Sequence, residues 1–294
     1  MNDNGNRWRT TVVLVASLLG GSVVFGQAQT NPPANPPANP PAQSQDQNKP
    51  ANQQAAPLSL DSTPAPVSAE EETAYKNFDT ASNDDPNKKG ELAQEFLQKY
   101  PQSRYRGTIY SWQVRYYFSK GQIDQMEAAG DKELELIPND AQTLAIVGSA
   151  LPRQMNANTP DPQKRLAKAQ QYSQKSLDLL PTMAKPEGMT DEQFLRAKNM
   201  TSALAYSGLG LVAFRQGKFA DAIPHFEKSV QLDPQPDPVN YYLLGLCNEK
   251  TSHYDEAAAS FSKCSDIPGG LQATCKQSVE EAKKLGATQL SAPK

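Results

Sequence analysis

Three cysteines, Cys247, Cys264 and Cys275, are the side chains with the most evident chemistry in this sequence. Cys264 falls in the last turn of one predicted helix and Cys275 lies early in the next, across the short turn 267–270. Such a turn can bring two Cα atoms within disulfide reach, and exported chains meet oxidising conditions. We therefore predict a Cys264–Cys275 disulfide, which would stabilise the fold by ~2–3 kcal/mol. Cys247, in mid-helix, is expected to pack as a small apolar residue.

The two histidines and the acidic residues form no recognisable reaction centre. His225 falls among the exposed positions of its predicted helix, and His253 falls in a turn. The chain has no H-E-x-x-H, no glycine-rich phosphate loop and no G-x-S-x-G. The acidic run 70–72 reads as the first turn of a helix, where acids favour the dipole. We therefore expect no catalytic residue, no metal site and no cofactor, and a protein that is not an enzyme.

Composition narrows the class of partner. The chain has 294 residues, a net charge of −3 and a mean hydropathy of −0.66. Lysines and acids are interspersed, whereas nucleic-acid binding requires a basic face. We therefore expect neither a nucleic-acid partner nor a small-molecule substrate, and a protein partner whose identity the sequence does not give.

Residues 1–28 are typical of an export signal. Arg7 and Arg9 precede an apolar run at 11–25, and small residues follow at 24–28. The run is shorter than the ~20 residues that a spanning helix usually needs, which favours a cleaved signal peptide. A retained N-terminal membrane anchor, holding the chain at the inner membrane, is the alternative. Both interpretations predict export to the periplasm or cell envelope.

Residues 29–67 are predicted to be a disordered linker. They include the proline repeat NPPANPPANPPA at 31–42, followed by Gln, Asn, Ser and Ala with few apolar side chains. Such a segment cannot bury enough surface to offset its ordering entropy. Its prolines favour extended polyproline II, so the linker should act as a semi-rigid spacer.

The rest of the chain is organised around an internal repeat. Residues in the stretch 203–234 recur 35 positions later with the same or a similar side chain. The recurring pairs are Tyr206 and Tyr241, Leu209 and Leu244, Gly210 and Gly245, Ala222 and Ala257, and Phe226 and Phe261. A fixed period of this length is the signature of a stacked array, in which one unit cannot bury its apolar face alone.

Each repeat is predicted to be a helical hairpin with a close contact between its helices. We expect Gly210 and Ala222 to meet where the helices approach, with Phe226 filling the gap beside Tyr206, and Pro234 to stop the second helix. At these positions the sequence resembles the tetratricopeptide repeat (TPR), whose pattern runs aromatic, Leu-Gly, Ala, Phe, Pro. The resemblance is to TPR proteins of the bacterial cell-envelope type, and it implies an all-α TPR solenoid.

Weaker copies of the hairpin extend towards the N-terminus. The first begins with Ser68 as an N-cap, and another has Val114 in place of the glycine. Thr190 and Gln193 form a capping-box pattern that opens a long helix reaching Arg215. The predicted hairpins are 68–104, 105–140, 141–189, 190–236 and 237–267, followed by a capping helix at 268–287 that frays from Gly286 onwards and a tail at 288–294.

The TPR resemblance implies a binding surface and a non-catalytic function. In this family the first helices of successive hairpins line a concave groove that holds a peptide or a partner helix. Ser207 and Leu211 stand where the carboxylate-clamp subset has Lys and Asn, so capture of a chain-terminal carboxylate is not expected. The predicted partner contacts are Arg115, Arg215, Tyr242 and Lys250. The chain is thus predicted to be an exported scaffold for protein–protein interaction.

Two alternatives remain open from the sequence. The segment 96–105 (FLQKYPQSRY) resembles TPR proteins of bacterial outer-membrane assembly, which implies a component of that machinery. An enzyme would instead need a ligand-sized pocket with convergent polar groups, and the insertion 152–162 is where we would expect one.

Overall fold

A computed structural model describes residues 67–291, in which the secondary structure is entirely helical. The predicted signal or anchor (1–28) and all but the last residue of the predicted linker (29–67) lie outside this range. None of the described helices has the length and hydropathy needed to cross a membrane. The α-helices are α1 (Ala69–Thr80), α2 (Pro86–Lys99), α3 (Arg106–Ser119), α4 (Ile123–Leu136), α5 (Ala141–Arg153), α6 (Pro162–Leu179), α7 (Asp191–Arg215), α8 (Phe219–Leu232), α9 (Pro238–Lys250), α10 (Tyr254–Ser265) and α11 (Gln272–Ser291), with a 3₁₀ turn at Leu180–Thr182 after α6.

The helices pack as successive hairpins. Consecutive helices pair as α1–α2, α3–α4, α5–α6, α7–α8 and α9–α10, and α11 packs on α10. The second helix of each hairpin contacts the first helix of the next, and the first helices α3, α5, α7 and α9 contact one another in order. Elements adjacent in sequence are therefore adjacent in space, as expected for a stacked array. The predicted all-α solenoid is confirmed.

The two helices of a repeat approach closely at a glycine. A methyl group on Gly210 would lie 2.9 Å from Cδ1 of Phe226, and one on Gly245 would lie 2.5 Å from Cε1 of Phe261. In each repeat the phenylalanine ring is therefore close to the glycine. The ring can approach the helix because the glycine leaves room for it, and the same arrangement recurs in both repeats.

Tyr206 contacts the second helix of its repeat. Its ring stacks against that of His225, with 6.2 Å between the centroids. His225 is thereby half-buried, and this burial lowers its pKa. Phe226 has its entire side chain buried at the first-to-second helix contact.

Two helices begin with the capping residues that the sequence predicted. The Ser68 hydroxyl accepts a hydrogen bond from the Glu71 amide at 3.1 Å. At α7 the Gln193 amide donates to the Thr190 hydroxyl at 3.2 Å, and the Thr190 amide donates to Gln193 Oε1 at 3.0 Å. These capping contacts satisfy backbone donors that have no partner within the helix.

Two helices run further than predicted. Helix α5 continues through Pro152 to Arg153, so the predicted insertion is shorter than expected. The Arg215 side chain donates hydrogen bonds to the carbonyl oxygens of Pro152 (3.0 Å) and Arg153 (3.2 Å), which would otherwise lack partners at the end of the helix. Helix α11 continues through Gly286 to Ser291, where fraying was expected. A methyl group on Gly286 would lie 3.3 Å from Cβ of Tyr254, so close packing against α10 supports the helix there.

Candidate binding surface of the first helices

The side chains of α3, α5, α7 and α9 that point away from the second helices form the candidate binding surface, called here the inner face. Its central part is a polar network around Arg153 at the end of α5. Arg153 Nη1 lies 2.5 Å from Asp237 Oδ2 at the start of α9, and Nη2 donates to the Ser207 hydroxyl of α7 at 3.2 Å. One side chain therefore joins three first helices.

This network, called the Arg153 network, continues into the repeat. The Ser207 hydroxyl donates to Asn240 Oδ1 at 2.8 Å, and the Asn240 amide donates to the Ser229 hydroxyl at 3.0 Å. Burial alone would raise the pKa of Asp237, but the charge and hydrogen bond of Arg153 hold it below its usual value. An ionised Asp237 thus faces Arg153, and the spacing of the first helices is fixed by paired groups.

Arg215 was predicted to contact a partner, and the structure gives it an internal role. Its guanidinium bonds the two carbonyl groups at the end of α5, and burial lowers its pKa. Within residues 67–291 no carboxylate lies within ion-pair distance of it. Its contact with the helix end suits the negative end of the α5 dipole.

Arg115 of α3 is the partly buried cation at the other end of the inner face. Its Nη1 donates to the Ser111 hydroxyl at 2.7 Å and lies 3.4 Å from Gln142 Oε1 of α5, and both partners are neutral. Burial lowers the pKa of Arg115, although the carboxyl groups of Glu133 and Asp140 act in the opposite direction. The guanidinium therefore lacks a direct anionic partner among the described residues.

Glu133 of α4 is a buried acid that sequence reasoning missed. It is 0% exposed; Thr143 of α5 donates a hydrogen bond to its Oε2 at 2.5 Å, and its Oε1 has no hydrogen-bond partner. Burial raises the pKa of Glu133 to about 7, against the lowering effect of the Thr143 bond. A detectable signal was present, because Glu133 continues the apolar stripe of α4 that contains Met126 and Ala129.

The remaining predicted contacts differ in accessibility. Tyr242 is only 7% exposed and its ring lies 5.6 Å from that of Phe261, in the cluster that includes the capping helix, so little of its side chain is accessible to a partner. Ser207 (1%) and Leu211 (4%) are buried as well, because neighbouring first helices cover them. Lys250, in the last turn of α9, is exposed.

The cysteines lie at the C-terminal end of the array. The structure pairs Cys264 of α10 with Cys275 of α11, with their Cα atoms 5.8 Å apart. Both side chains are buried in the apolar cluster that joins the capping helix to the last repeat. Cys247 is unpaired and buried, and burial raises the pKa of its thiol to about 12, which leaves it protonated.

The residues considered for other chemistry have structural contacts. His253 Nδ1 lies 2.8 Å from the Thr251 hydroxyl, and the described residues include no group of three or more potential ligands that could hold a metal ion. In the segment 96–105, the Tyr105 hydroxyl donates to Glu72 at 2.6 Å and its ring stacks on Tyr75 at 3.9 Å. The aromatic end of that segment thus packs the first two hairpins together.

Family models agree with the repeat pattern in its two clearest copies. Two models of the tetratricopeptide repeat family match, at residues 203–236 and 239–268. A solved structure titled "Crystal structure of MamA protein" is similar with 23% identity and a TM-score of 0.42, over 64% of this chain and 88% of that one. No curated protein matches the sequence.

Proposed function

We propose that this chain, whose residues 203–236 and 239–268 are tetratricopeptide repeats, is a non-catalytic scaffold of a bacterial cell envelope that holds a peptide or a partner helix on its inner face. The repeats themselves support a role in protein interaction. The observation that carries the finer proposal is the Arg153 network, which braces α5, α7 and α9 through paired polar groups. The inner face is thus ordered before a partner arrives.

A preformed surface has an energetic advantage in binding. Ordering a flexible side chain on association costs ~0.5–1.5 kcal/mol, and bonds already made within the protein avoid that cost on its side. Arg153 and Asp237 are held together, whereas Arg115 and Lys250 have no carboxylate partner among the described residues. The cations left unpaired on the first helices are the groups available to a partner.

Export is the second part of the proposal. Its support is the sequence of residues 1–28, with Arg7 and Arg9 before an apolar run and small residues after it. N-terminal sequencing of the protein purified from its native cells distinguishes the cases. A mature chain beginning near residue 27 or 29 supports a cleaved signal, and an intact Met1 in the membrane fraction supports an anchor.

The inner face is tested by affinity capture from an envelope extract with the full-length protein. An Arg115→Glu, Lys250→Glu double variant should lose the chains that the wild type retains. Lys164→Glu is the matched control, since Lys164 is an exposed cation of α6 outside this face. Equal capture by all three proteins, judged by mass spectrometry, would exclude the inner face as the binding surface.

A further inference from the structure

Arg115 and Glu133 each make a hydrogen bond to the first turn of α5. Arg115 of α3 reaches Gln142, and Glu133 of α4 accepts a hydrogen bond from Thr143, the next residue along α5. A cation and an acid from different helices are therefore held by adjacent residues of a third helix. Among the described residues, neither side chain lies within 4 Å of an oppositely charged group, so the two make no direct ion pair.

Arg115 has unused binding capacity at this site. A guanidinium carries five N–H donors in a planar fork that matches a carboxylate. The hydrogen bonds of Arg115 come from Nη1 alone and go to the neutral oxygens of Ser111 and Gln142. None of its nitrogens is both buried and without a partner, so the remaining donors are reachable from the surface.

Glu133 supplies the second, independent observation. Its side chain is 0% exposed and its Oε1 has no hydrogen-bond partner, so an ionised Glu133 would be a buried charge with half of its acceptors unmet. The charged groups around it are Arg115 of α3 and Asp140, the N-cap residue of α5, and the Ser111 hydroxyl of α3 favours its ionised form. The Asp140 side chain already accepts the Thr143 amide at 2.7 Å as the α5 cap.

We propose that Arg115 binds an acidic side chain of the partner peptide, and that protonation of the buried Glu133 beside it controls the strength of this contact. The inference rests on the proposed function and names the chemistry of the partner. With Glu133 protonated, the guanidinium is incompletely neutralised and attracts the incoming carboxylate. Once Glu133 ionises, two protein carboxylates face Arg115, and the site holds a third one less well.

The test measures the affinity of the full-length protein for a tetramethylrhodamine-labelled oligoglutamate by fluorescence anisotropy, between about pH 5.5 and pH 8.5, where the glutamate side chains of the probe remain ionised. An oligoglutamine of equal length is the uncharged probe. The wild type should bind the oligoglutamate about tenfold more weakly at the upper pH, since a nearby charge changes binding by that order. The oligoglutamine should show no such change.

Four variants, one of them a control, assign the effect to individual residues. Glu133→Gln should keep the tighter affinity across the whole range, because the amide cannot ionise. Arg115→Gln should lose about tenfold at the lower pH, and Arg115→Lys, which retains the charge, should recover part of that loss. Lys164→Gln removes an exposed charge on α6 and should behave as the wild type; circular dichroism establishes that each variant is folded.

Contrary outcomes are distinct for the two proposals. A pH dependence that persists in Glu133→Gln, or an Arg115→Gln protein that binds as the wild type does, overturns the inference. If partner capture fails in Lys250→Glu yet survives in Arg115→Gln, the scaffold function stands and the inference falls. If no inner-face substitution affects capture, the proposed function itself fails.

Discussion

At the scale of single residues, Glu133 is a buried acid whose ionisation opposes folding. Its carboxyl is 0% exposed and has one hydrogen-bond donor, Thr143, for its two oxygens. The pKa is raised from 4.5 to about 7, so the folded chain holds a proton that the unfolded chain releases between these values. The contribution of Glu133 to stability is therefore complete below about pH 4.5 and is lost as pH rises through about 7.

Replacing Glu133 by Gln should remove this pH dependence. At about pH 8.5 the variant should have a higher free energy of unfolding than the wild type, by up to roughly 3 kcal/mol, and the difference should shrink towards pH 5. Denaturant titrations at several pH values measure it. The control is Glu135→Gln, because Glu135 is exposed on the same helix; parallel curves for wild type and Glu133→Gln would contradict the prediction.

Residue roles on the inner face were predictable only in part. Helical register correctly assigned Arg215 and Tyr242 to first helices, but register does not say what covers a side chain. Arg215 turned inward because α5 ends with carbonyl groups that need donors, and Tyr242 was covered by α11. Glu133 was not predicted to be buried, because it is a charged residue, although its position continues the buried stripe of α4.

At the scale of elements, the two helices of a repeat approach each other through a glycine and a phenylalanine ring. The 35-residue period identified Gly210 and Gly245 as residues of this contact, whereas the closeness of the two rings to them is known only from the packing. Helix starts were easier to predict, because Ser68 and Thr190 act on backbone groups within the same turn.

Substituting Gly210 by Ala should separate the helices of its repeat. The new methyl group would lie 2.9 Å from the Phe226 ring, and overpacking of this kind costs ~1–3 kcal/mol. Thermal and denaturant unfolding measure the loss. Gly270→Ala is the matched control, since nothing lies within 4 Å of a methyl group there; equal stabilities of the two variants would show that the close contact is unimportant.

The bridge between α5 and α9 should be energetically coupled. A double-mutant cycle with Arg153→Ala and Asp237→Asn isolates their interaction, and the Asn retains an oxygen that can cap α9. We expect a coupling free energy of at least ~1 kcal/mol between Arg153 and Asp237, because both side chains are largely buried (19% and 27% exposed). The control is the exposed pair Lys88–Glu91, whose coupling free energy should be ~0–0.5 kcal/mol. If the coupling between Arg153 and Asp237 is no larger than this, their ion pair does not stabilise the arrangement of α5 and α9.

At the scale of the whole described array, the apolar core is divided into clusters that follow the chain. One joins α1 to α3, one joins α3 to α7, one joins α7 to α9 and one joins α9 to the capping helix. Because each cluster involves only neighbouring elements, stability is approximately a sum of local terms. A perturbation at one end should then be felt mainly at that end.

Reduction of the predicted Cys264–Cys275 disulfide tests this locality. Loss of the bond should cost ~2–3 kcal/mol in the last cluster, since it closes a short loop between α10 and α11. Hydrogen exchange should accelerate in α9–α11 under reductant and stay unchanged in α3–α6. In a Cys264→Ser, Cys275→Ser variant the reductant should have no effect. Faster exchange throughout the array would contradict the prediction that stability is local. With the disulfide intact, Cys247 should be the one thiol that reacts in the denatured, unreduced protein, so two additional reactive thiols would contradict the disulfide.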